Sequence, residues 1–385
     1  MHSGQIHALT GIRGIAALWV VILHGATYVN ASSVLPQWLS NIINKGWLGV
    51  DLFFILSGFV IAYVHQSDFV QLKFNSIKQF LKLRLARIYP AHLVATLILI
   101  PIVVTVTLFS FITLPANVLD NYDFKKFLFS LSLTNGWGFE QSIGWNYPSW
   151  SVASEWFAYL LFPLIAWILN NIKSTKLFAT IIFCIFILMY VAAIKMNGAT
   201  QYMPQAEWLL LRVISEFIVG CCLYNICTKL PRYLYSDSVS FTTILVIILL
   251  CFFGVPSIFD GIIVMLFSLL ILNLSHSKGL ISRFLSTDIM LFLGRISYSI
   301  YLTHFTVLII FNQVMKRIPF IEKSSIEYLV TFYIGYIILS IISGKLLFSW
   351  VENPCRKFLK FRWVENNVNT PKKDVKFLKH WFSKS

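Results

Sequence analysis

Arg13 and His24 are the first two residues of this sequence whose types and spacing could support chemistry. Both lie in one apolar stretch that runs from Ala8 to Tyr28. A helix places residues eleven positions apart on nearly the same face, separated by about 16 Å along its axis. Because a charge and an imidazole are costly inside a membrane-spanning helix, such residues usually mark function. The pair therefore predicts a polar site that extends along the first helix.

Two acidic residues in later apolar stretches could serve this site. Asp51 lies in the stretch GWLGVDLFFILSGFVIAYV, and Glu155 follows Ser151 by four positions, so that these two side chains can hydrogen-bond on one helix face. A histidine that acts as general base benefits from an acid that fixes its tautomer and stabilises the imidazolium. We predict His24 as that base, with Asp51 and Glu155 as further catalytic residues, and either acid could partner it. Glu155 could also be a competing base or orient the acceptor. A polar clasp between helices is the alternative role for Glu155.

A basic segment, SIKQFLKLRLARIYPAHL, follows the second apolar stretch. Arg84 and Arg87 are three positions apart and therefore share a helix face. Such a face can extend toward lipid phosphate. It can equally hold a phosphorylated cofactor, because guanidinium groups match phosphate oxygens. The spacing alone leaves both interpretations open, and we expect Pro90 and His92 to open the third membrane span.

Another polar face is predicted near the end of the chain, in the stretch GRISYSIYLTHF. Ser297, Tyr301 and His304 follow one another at helical spacing and lie on one face. A lone histidine there would more often be a satisfied core residue, whereas a Ser-Tyr-His face favours a polar lining. We therefore expect Tyr301 and His304, together with Ser151, to bind substrate.

The elements that position these residues are predicted to be transmembrane helices. Hydrophobic residues make up 57% of the chain and charged residues only 12%, which excludes an ordinary soluble globular protein. We count ten apolar segments, at about 8–29, 46–65, 89–112, 149–170, 177–195, 208–228, 239–254, 257–275, 289–314 and 326–350. The sequence thus predicts an all-α membrane protein, a bundle of about ten transmembrane helices.

The distribution of positive charge orients this bundle. With both termini on the inner side, the inner regions hold 20 Lys and Arg residues and the outer loops hold 7. The positive-inside rule therefore predicts that both termini are cytoplasmic. The net charge of +15 then reflects contact with anionic lipid and not with nucleic acid. We divide the chain into a transmembrane domain, residues 1–355, and a basic cytoplasmic tail, residues 356–385, expected to lie on the inner leaflet.

Six pieces of the sequence, in this order, resemble the acyltransferase-3 family, integral-membrane acyltransferases that O-acetylate bacterial surface glycans. They are Arg13 with His24, GVDLFFILSGF at 49–59, RLAR at 84–87, WSVASEW at 150–156, GRISYSIYLTH at 294–304 and ENPCRK at 352–357. The resemblance runs from Thr10 to about Lys357. Some family members carry a further C-terminal esterase-like (SGNH) domain. This chain ends too soon for one, so we expect the membrane domain to act alone or with a separate partner.

The resemblance implies an O-acyltransferase in the bacterial inner membrane. It would move an acetyl group from cytoplasmic acetyl-CoA to a hydroxyl of a surface polysaccharide, lipopolysaccharide or lipid-linked glycan at the outer face. Arg13, Arg84 and Arg87 would hold the CoA phosphates. The acyl group could also be one other than acetyl, and it could pass to the acceptor either directly or through an acyl-enzyme. We expect no metal, because the sequence has no group of residues with the spacing of metal ligands.

Two other function classes also fit a chain with many spans. A secondary transporter or flippase should show internal repeats with broken helices in matching halves, and we find none in the sequence. A polyprenyl-linked glycan polymerase or ligase usually needs a larger outer loop than the one predicted here. An acyltransferase is therefore the function that the sequence favours.

The glycan acceptor is expected at the longest outer loop, from Asp120 to Trp150. Its aromatic residues, above all Trp137 but also Trp145 and Tyr147, offer apolar faces on which sugar C–H groups can pack. Its acids can accept hydrogen bonds from sugar hydroxyls. The alternative is that the tryptophans form an interfacial belt, which is common at that depth.

Overall fold

The protein is an all-helical bundle in the computed structural model, which describes residues 4–29, 31, 34–108, 122–139, 144–197, 209–315, 317 and 325–365. No strand occurs within those ranges. The helices are α1 (Gly4–Val29), α2 (Gln37–Asn44), α3 (Leu48–His65), α4 (Phe74–Leu97), α5 (Leu99–Leu108), α6 (Phe124–Leu131), α7 (Ser149–Asn170), α8 (Thr175–Asn197), α9 (Leu209–Ile226), α10 (Asp237–Phe252), α11 (Asp260–Leu274), α12 (Leu280–Leu285), α13 (Asp288–Met315), α14 (Ile326–Leu347) and α15 (Asn353–Lys360).

Nine helical stretches in these described ranges are long and apolar enough to cross a membrane. They are His7–Val29, Gln37–Phe69, Phe74–Thr105, Ser149–Asn170, Thr175–Lys195, Leu209–Ile226, Ser257–Leu274, Asp288–Met315 and Ile326–Trp363. The remaining predicted segment corresponds to α10, an apolar helix of 16 residues. Its length of about 24 Å falls short of the roughly 30 Å hydrocarbon core. The prediction of an all-α, multi-pass membrane protein is confirmed.

The third predicted span begins earlier than hydropathy indicated. Helix α4 runs from Phe74 through Pro90 to Leu97 without interruption. Arg84 and Arg87 therefore lie within this helix on the shared face that their spacing predicted, and Pro90 and His92 lie inside the helix instead of at its start. Hydropathy missed this half of α4 because cations and amides alternate there with the apolar residues.

The centre of the bundle depends on close helix crossings. Helix α1 packs along α13 and α3, and α3 packs along α9. At the α3–α9 crossing, a Cβ on Gly58 would collide with the carbonyl oxygen of Phe217, and a Cβ on Gly220 would collide with that of Ile55. Small residues at such positions allow backbones to approach in a membrane, where packing and not the hydrophobic effect drives helix association. These crossings fix the helices that carry most of the site residues.

The chain after α14 turns back into the bundle through a π-helical segment, Phe348–Glu352. The buried carboxylate of Glu352 forms an ion pair with Arg87 of α4 and accepts a hydrogen bond of 2.6 Å from the hydroxyl of Ser299 on α13. Helix α15 follows directly and packs against α4. The first residues of the expected surface tail are thus part of the packed structure, and residues after 365 lie outside the described ranges.

Candidate active site

A cationic cavity of about 400 Å³ lies at the end of the bundle where α1 begins and α15 ends. Seven basic residues line it: Arg13, Arg84, Arg87, Arg295, Arg356, Lys357 and Lys360. The structure therefore brings together the three arginines that the sequence analysis assigned to the donor. It adds Arg295 from α13 and three cations from α15. A cavity of this volume is within the usual range for small-molecule sites.

Buried partners hold the arginines of α4 in place. The Nη2 group of Arg84 donates a hydrogen bond of 3.2 Å to Nε2 of His65, whose Nδ1 donates at 2.9 Å to Asp68. Arg87 pairs with Glu352 and lies 5.6 Å above the ring of Tyr298. The Nε–H groups of Arg13 and Arg84 are buried and have no acceptor among the described residues. Since an unsatisfied buried donor is costly, these groups fit an anionic ligand.

A second cavity, of about 50 Å³, adjoins the first at Arg13, which lines both. Ser151, Glu155 and Tyr301 also line it. The hydroxyls of Ser151 and Tyr301 are 2.8 Å apart, and the hydroxyl of Tyr159 donates to Glu155 at 2.6 Å. The predicted contact between Ser151 and Glu155 does not form, because the Ser151 hydroxyl donates to a backbone carbonyl of its own helix at 3.1 Å. Arg13 is thus the residue that the two cavities share.

His24 and His304 form a pair at the other end of this polar region. Nδ1 of His24 is 3.2 Å from Nε2 of His304. Nδ1 of His24 is also 3.0 Å from the carbonyl oxygen of Val20, and Nδ1 of His304 is 2.7 Å from that of Tyr301. A carbonyl oxygen only accepts, so both neutral rings carry their hydrogen on Nδ1. The single Nδ1–H of His24 is then shared between the Val20 carbonyl and Nε2 of His304, and Nε2 of His24 retains its lone pair.

The two histidines differ in access. His304 is 0% exposed and has a protein partner at each ring nitrogen, whereas the ring of His24 is half-buried. Tyr147, which precedes α7, approaches His24 with a ring centroid distance of 5.8 Å and is itself 42% exposed. Its ring stacks on Phe305 at 5.3 Å. His24 is therefore the more accessible histidine of the pair.

The structure places Asp51 with Arg212 and not with His24. The fully buried carboxylate of Asp51 accepts from Nε of Arg212 at 2.7 Å and from Nη2 at 2.5 Å. Neither Asp51 nor Glu155 hydrogen-bonds to His24, whose side-chain partner is His304. The described acids and histidines form no group of three that could hold a metal ion. Apart from the polar face that includes His304, no pattern in the sequence predicted the pairing of the two histidines.

Most aromatic residues of the expected acceptor loop make packing contacts. Trp137 donates from Nε1 to the carbonyl of Ala153 at 2.9 Å, and its ring meets Phe157 at 4.9 Å. Trp145 is 8% exposed and donates to a carbonyl of the same loop. Tyr147 is the one of these loop residues that contacts His24. Asp120 and Glu140, two of the acids expected there, lie outside the described residues.

Comparisons with known proteins identify the family of this chain. The family described as an acyltransferase domain matches residues 6–345 of the chain. A Staphylococcus aureus (strain COL) protein named "Putative O-acetyltransferase SACOL0978" is 28% identical over 381 residues, which cover 91% of this chain and 57% of that protein. O-acetyltransferase OatA of S. aureus strain NCTC 8325 / PS 47 is 27% identical over 378 residues, again 91% of this chain and 57% of the relative. The chain thus spans a little over half the length of these relatives. No solved structure matches it.

We predict that the pair of Asp51 and Arg212 stabilises the bundle. Arg212→Gln alone should destabilise the protein by about 3–5 kcal/mol, because it leaves the buried carboxylate of Asp51 without its partner. Asp51→Asn should cost less, because Arg212 keeps Glu216 at 3.7 Å. The double variant also removes the Asp51 carboxylate that Arg212→Gln leaves unpaired, and it should recover part of that loss. Thermal unfolding in detergent, followed by size-exclusion chromatography, measures this directly.

Acyl transfer by the recovered double variant then separates the two roles of Asp51. Activity close to that of the unmodified protein would assign Asp51 to stability. A stable but inactive double variant would instead support the catalytic role expected from the sequence. Equal stability of all four proteins would contradict the structural role.

Proposed function

Because the chain belongs to the acyltransferase-3 family of membrane acyltransferases, we propose that it transfers an acetyl group from cytoplasmic acetyl-CoA to a glycan hydroxyl at the outer face of the bacterial inner membrane. The observation that carries this proposal is the order of polar groups along α1, from Arg13, which lines both cavities, to His24. The cationic cavity meets the smaller cavity at Arg13, and His24 lies on the same helix about 16 Å further along. A donor held at one end could thus present its acyl group at the other.

The donor occupies the cationic cavity. Acetyl-CoA carries a diphosphate and a separate 3′-phosphate, and charge-assisted hydrogen bonds from Arg to phosphate are among the stronger polar contacts. Arg13, Arg84 and Arg87 hold the diphosphate. The extended thioester arm passes Arg13 into the cavity lined by Ser151, Glu155 and Tyr301, where its amide groups find hydrogen-bond partners. Glu155 in this scheme binds the donor arm, since its carboxylate lies with Arg13 and not with His24.

His24 acts as the general base. Its Nε2 takes the proton of the acceptor hydroxyl as that oxygen attacks the thioester carbonyl carbon. The new C–O bond forms, the C–S bond breaks, and the CoA sulfur leaves with the proton from the His24 imidazolium. The products are an O-acetyl ester and free CoA. His304 is a positioning residue: it accepts from Nδ1–H of His24 and so directs Nε2 toward the acceptor.

The acceptor binds beside Tyr147. This ring is exposed, borders His24 and is supported from behind by Phe305. Sugar rings pack their C–H faces on such aromatic surfaces. Trp137, which the sequence analysis favoured for this role, instead has the hydrogen bond and ring contact of a residue that fastens its loop to α7.

His24→Ala is expected to abolish acetylation, with a loss of about 10²–10⁴-fold, the usual contribution of a general base. Purified protein in lipid nanodiscs is supplied with acetyl-CoA and glycan, and release of CoA and mass of the glycan are both followed. Binding of acetyl-CoA should persist in the variant. Glycan acetylation near the normal rate would refute the assignment of the base.

His304→Leu is expected to lower kcat by about 10- to 100-fold, as for residues that orient a catalytic group. The KM for acetyl-CoA should not change. His304→Gln retains a side-chain oxygen that can accept from His24, so it should restore much of the rate. If Gln and Leu reduce kcat equally, or if KM alone rises, His304 does not act by orienting His24.

Tyr147→Ala should raise the KM for the glycan about tenfold or more and leave the affinity for acetyl-CoA unchanged, because it removes the exposed ring beside the base. Trp137→Ala provides a matched control from the same loop. It should lower thermal stability without a selective effect on the acceptor. If Trp137→Ala raises the KM for the glycan and Tyr147→Ala does not, the acceptor binds at Trp137, as the sequence analysis expected.

A further inference from the structure

His65, the last residue of α3, is a buried histidine that the proposed mechanism does not use. It lines the cationic cavity together with Arg84 of α4. A neutral imidazole adds no positive charge to this lining. Any role of His65 in the cavity must therefore come from the hydrogen bonds of its two ring nitrogens.

These two nitrogens connect Asp68 with Arg84. Asp68 lies in the 3₁₀ turn Gln66–Phe69 that follows α3, and its carboxylate accepts from Nδ1 of His65 at 2.9 Å. Nη2 of Arg84 is 3.2 Å from Nε2 of the same ring. A carboxylate only accepts and a guanidinium only donates, so His65 carries its hydrogen on Nδ1 and accepts from Arg84 at Nε2. Asp68 therefore fixes the one tautomer of His65 that can hold the arginine.

A shared aromatic ring supports both side chains. Phe80 is buried and lies one helical turn before Arg84 on α4. The guanidinium carbon of Arg84 is 5.8 Å from the centre of this ring, and the ring of His65 meets it edge-on with a centroid distance of 5.2 Å. The first of these distances is within the range of a cation–π contact. The guanidinium is thus held both by a ring contact and by the hydrogen bond at Nη2.

The Nε–H of Arg84 remains for a ligand. It is buried and has no acceptor among the described residues. An arginine side chain loses rotational freedom when it binds a phosphate, and this loss weakens binding. Contacts that fix the guanidinium before the ligand arrives reduce that cost, which is the general benefit of preorganisation.

We infer that His65 is a positioning residue of the donor site, which holds Nη2 of Arg84 and so presents the remaining N–H groups of this arginine to a phosphate of the donor. This inference rests on the proposed donor and adds to its site a residue that acts through Arg84. The alternative is that His65 only packs in the core. The two roles differ in whether the effect of His65 on donor binding depends on Arg84.

The test is a double-mutant cycle on the affinity for acetyl-CoA, measured by isothermal titration calorimetry with the full chain in nonionic detergent. His65→Leu should weaken binding about tenfold, as for partners that orient a ligating group. In the Arg84→Gln protein the same change should have no further effect, because the group that His65 positions is absent. His65→Gln keeps a side-chain oxygen that can accept from Arg84, so it should restore most of the affinity.

His276→Leu is the matched control. His276 is not part of the cavity lining, and its Nδ1 contacts the hydroxyl of the neighbouring Ser275. This variant should bind acetyl-CoA as tightly as the unmodified protein does.

Three results would overturn the positioning role of His65. They are an equal loss from His65→Leu with and without Arg84, equal affinities of the Leu and Gln variants, and a His65→Leu variant that loses thermal stability but no affinity. Failure of the unmodified protein to bind acetyl-CoA is a different result, because it would overturn the proposed donor itself.

Discussion

The ion pair between Arg87 and Glu352 is the contact on which the cationic end of the molecule depends. A carboxylate buried among transmembrane helices is costly unless it is paired and hydrogen-bonded. Glu352 meets both requirements through Arg87 on α4 and Ser299 on α13, and the π-helical segment that carries it also sets the start of α15. Single π turns inside helices frequently occur at functional sites. One buried acid thus connects three helices and fixes the face of α15 that lines the cavity.

A second constraint acts at the histidine end. His304 is enclosed by protein and its Nδ1–H is held by the carbonyl of Tyr301, which leaves Nε2 only as an acceptor. This fixes the proton of His24 on Nδ1 and the lone pair on Nε2. A carboxylate beside His24 would orient the ring in the same way but would add a charge to a weakly solvated region. A neutral histidine provides the orientation without that charge, and the acid of the second helix, Asp51, is engaged by an arginine instead.

The sequence predicted what depends on local spacing and on hydropathy. The spacing of residues within a single helix predicted the shared face of Arg84 and Arg87 and the polar face that includes His304. The long apolar stretches predicted the helical class. Pairings between distant helices did not follow. His24 and His304 are 280 positions apart, and Asp51 is 161 positions from its arginine. Hydropathy also assigned the start of α4 to a loop and the cations of α15 to a surface tail, because it scores a cation in the same way whether it faces lipid phosphate or a cavity.

The surroundings of His24 favour direct transfer over an acyl-enzyme. A covalent intermediate needs a nucleophilic side chain within hydrogen-bond reach of the base. In the part of the chain that the structure describes, the side-chain contacts of His24 are His304, Tyr147 and Phe305, and the only hydrogen bond among these is to His304. The hydroxyl of Ser151 is bonded to Tyr301 and a backbone carbonyl, away from the base. We therefore propose direct transfer, in which the hydroxyl that His24 deprotonates belongs to an acceptor bound beside the exposed ring of Tyr147.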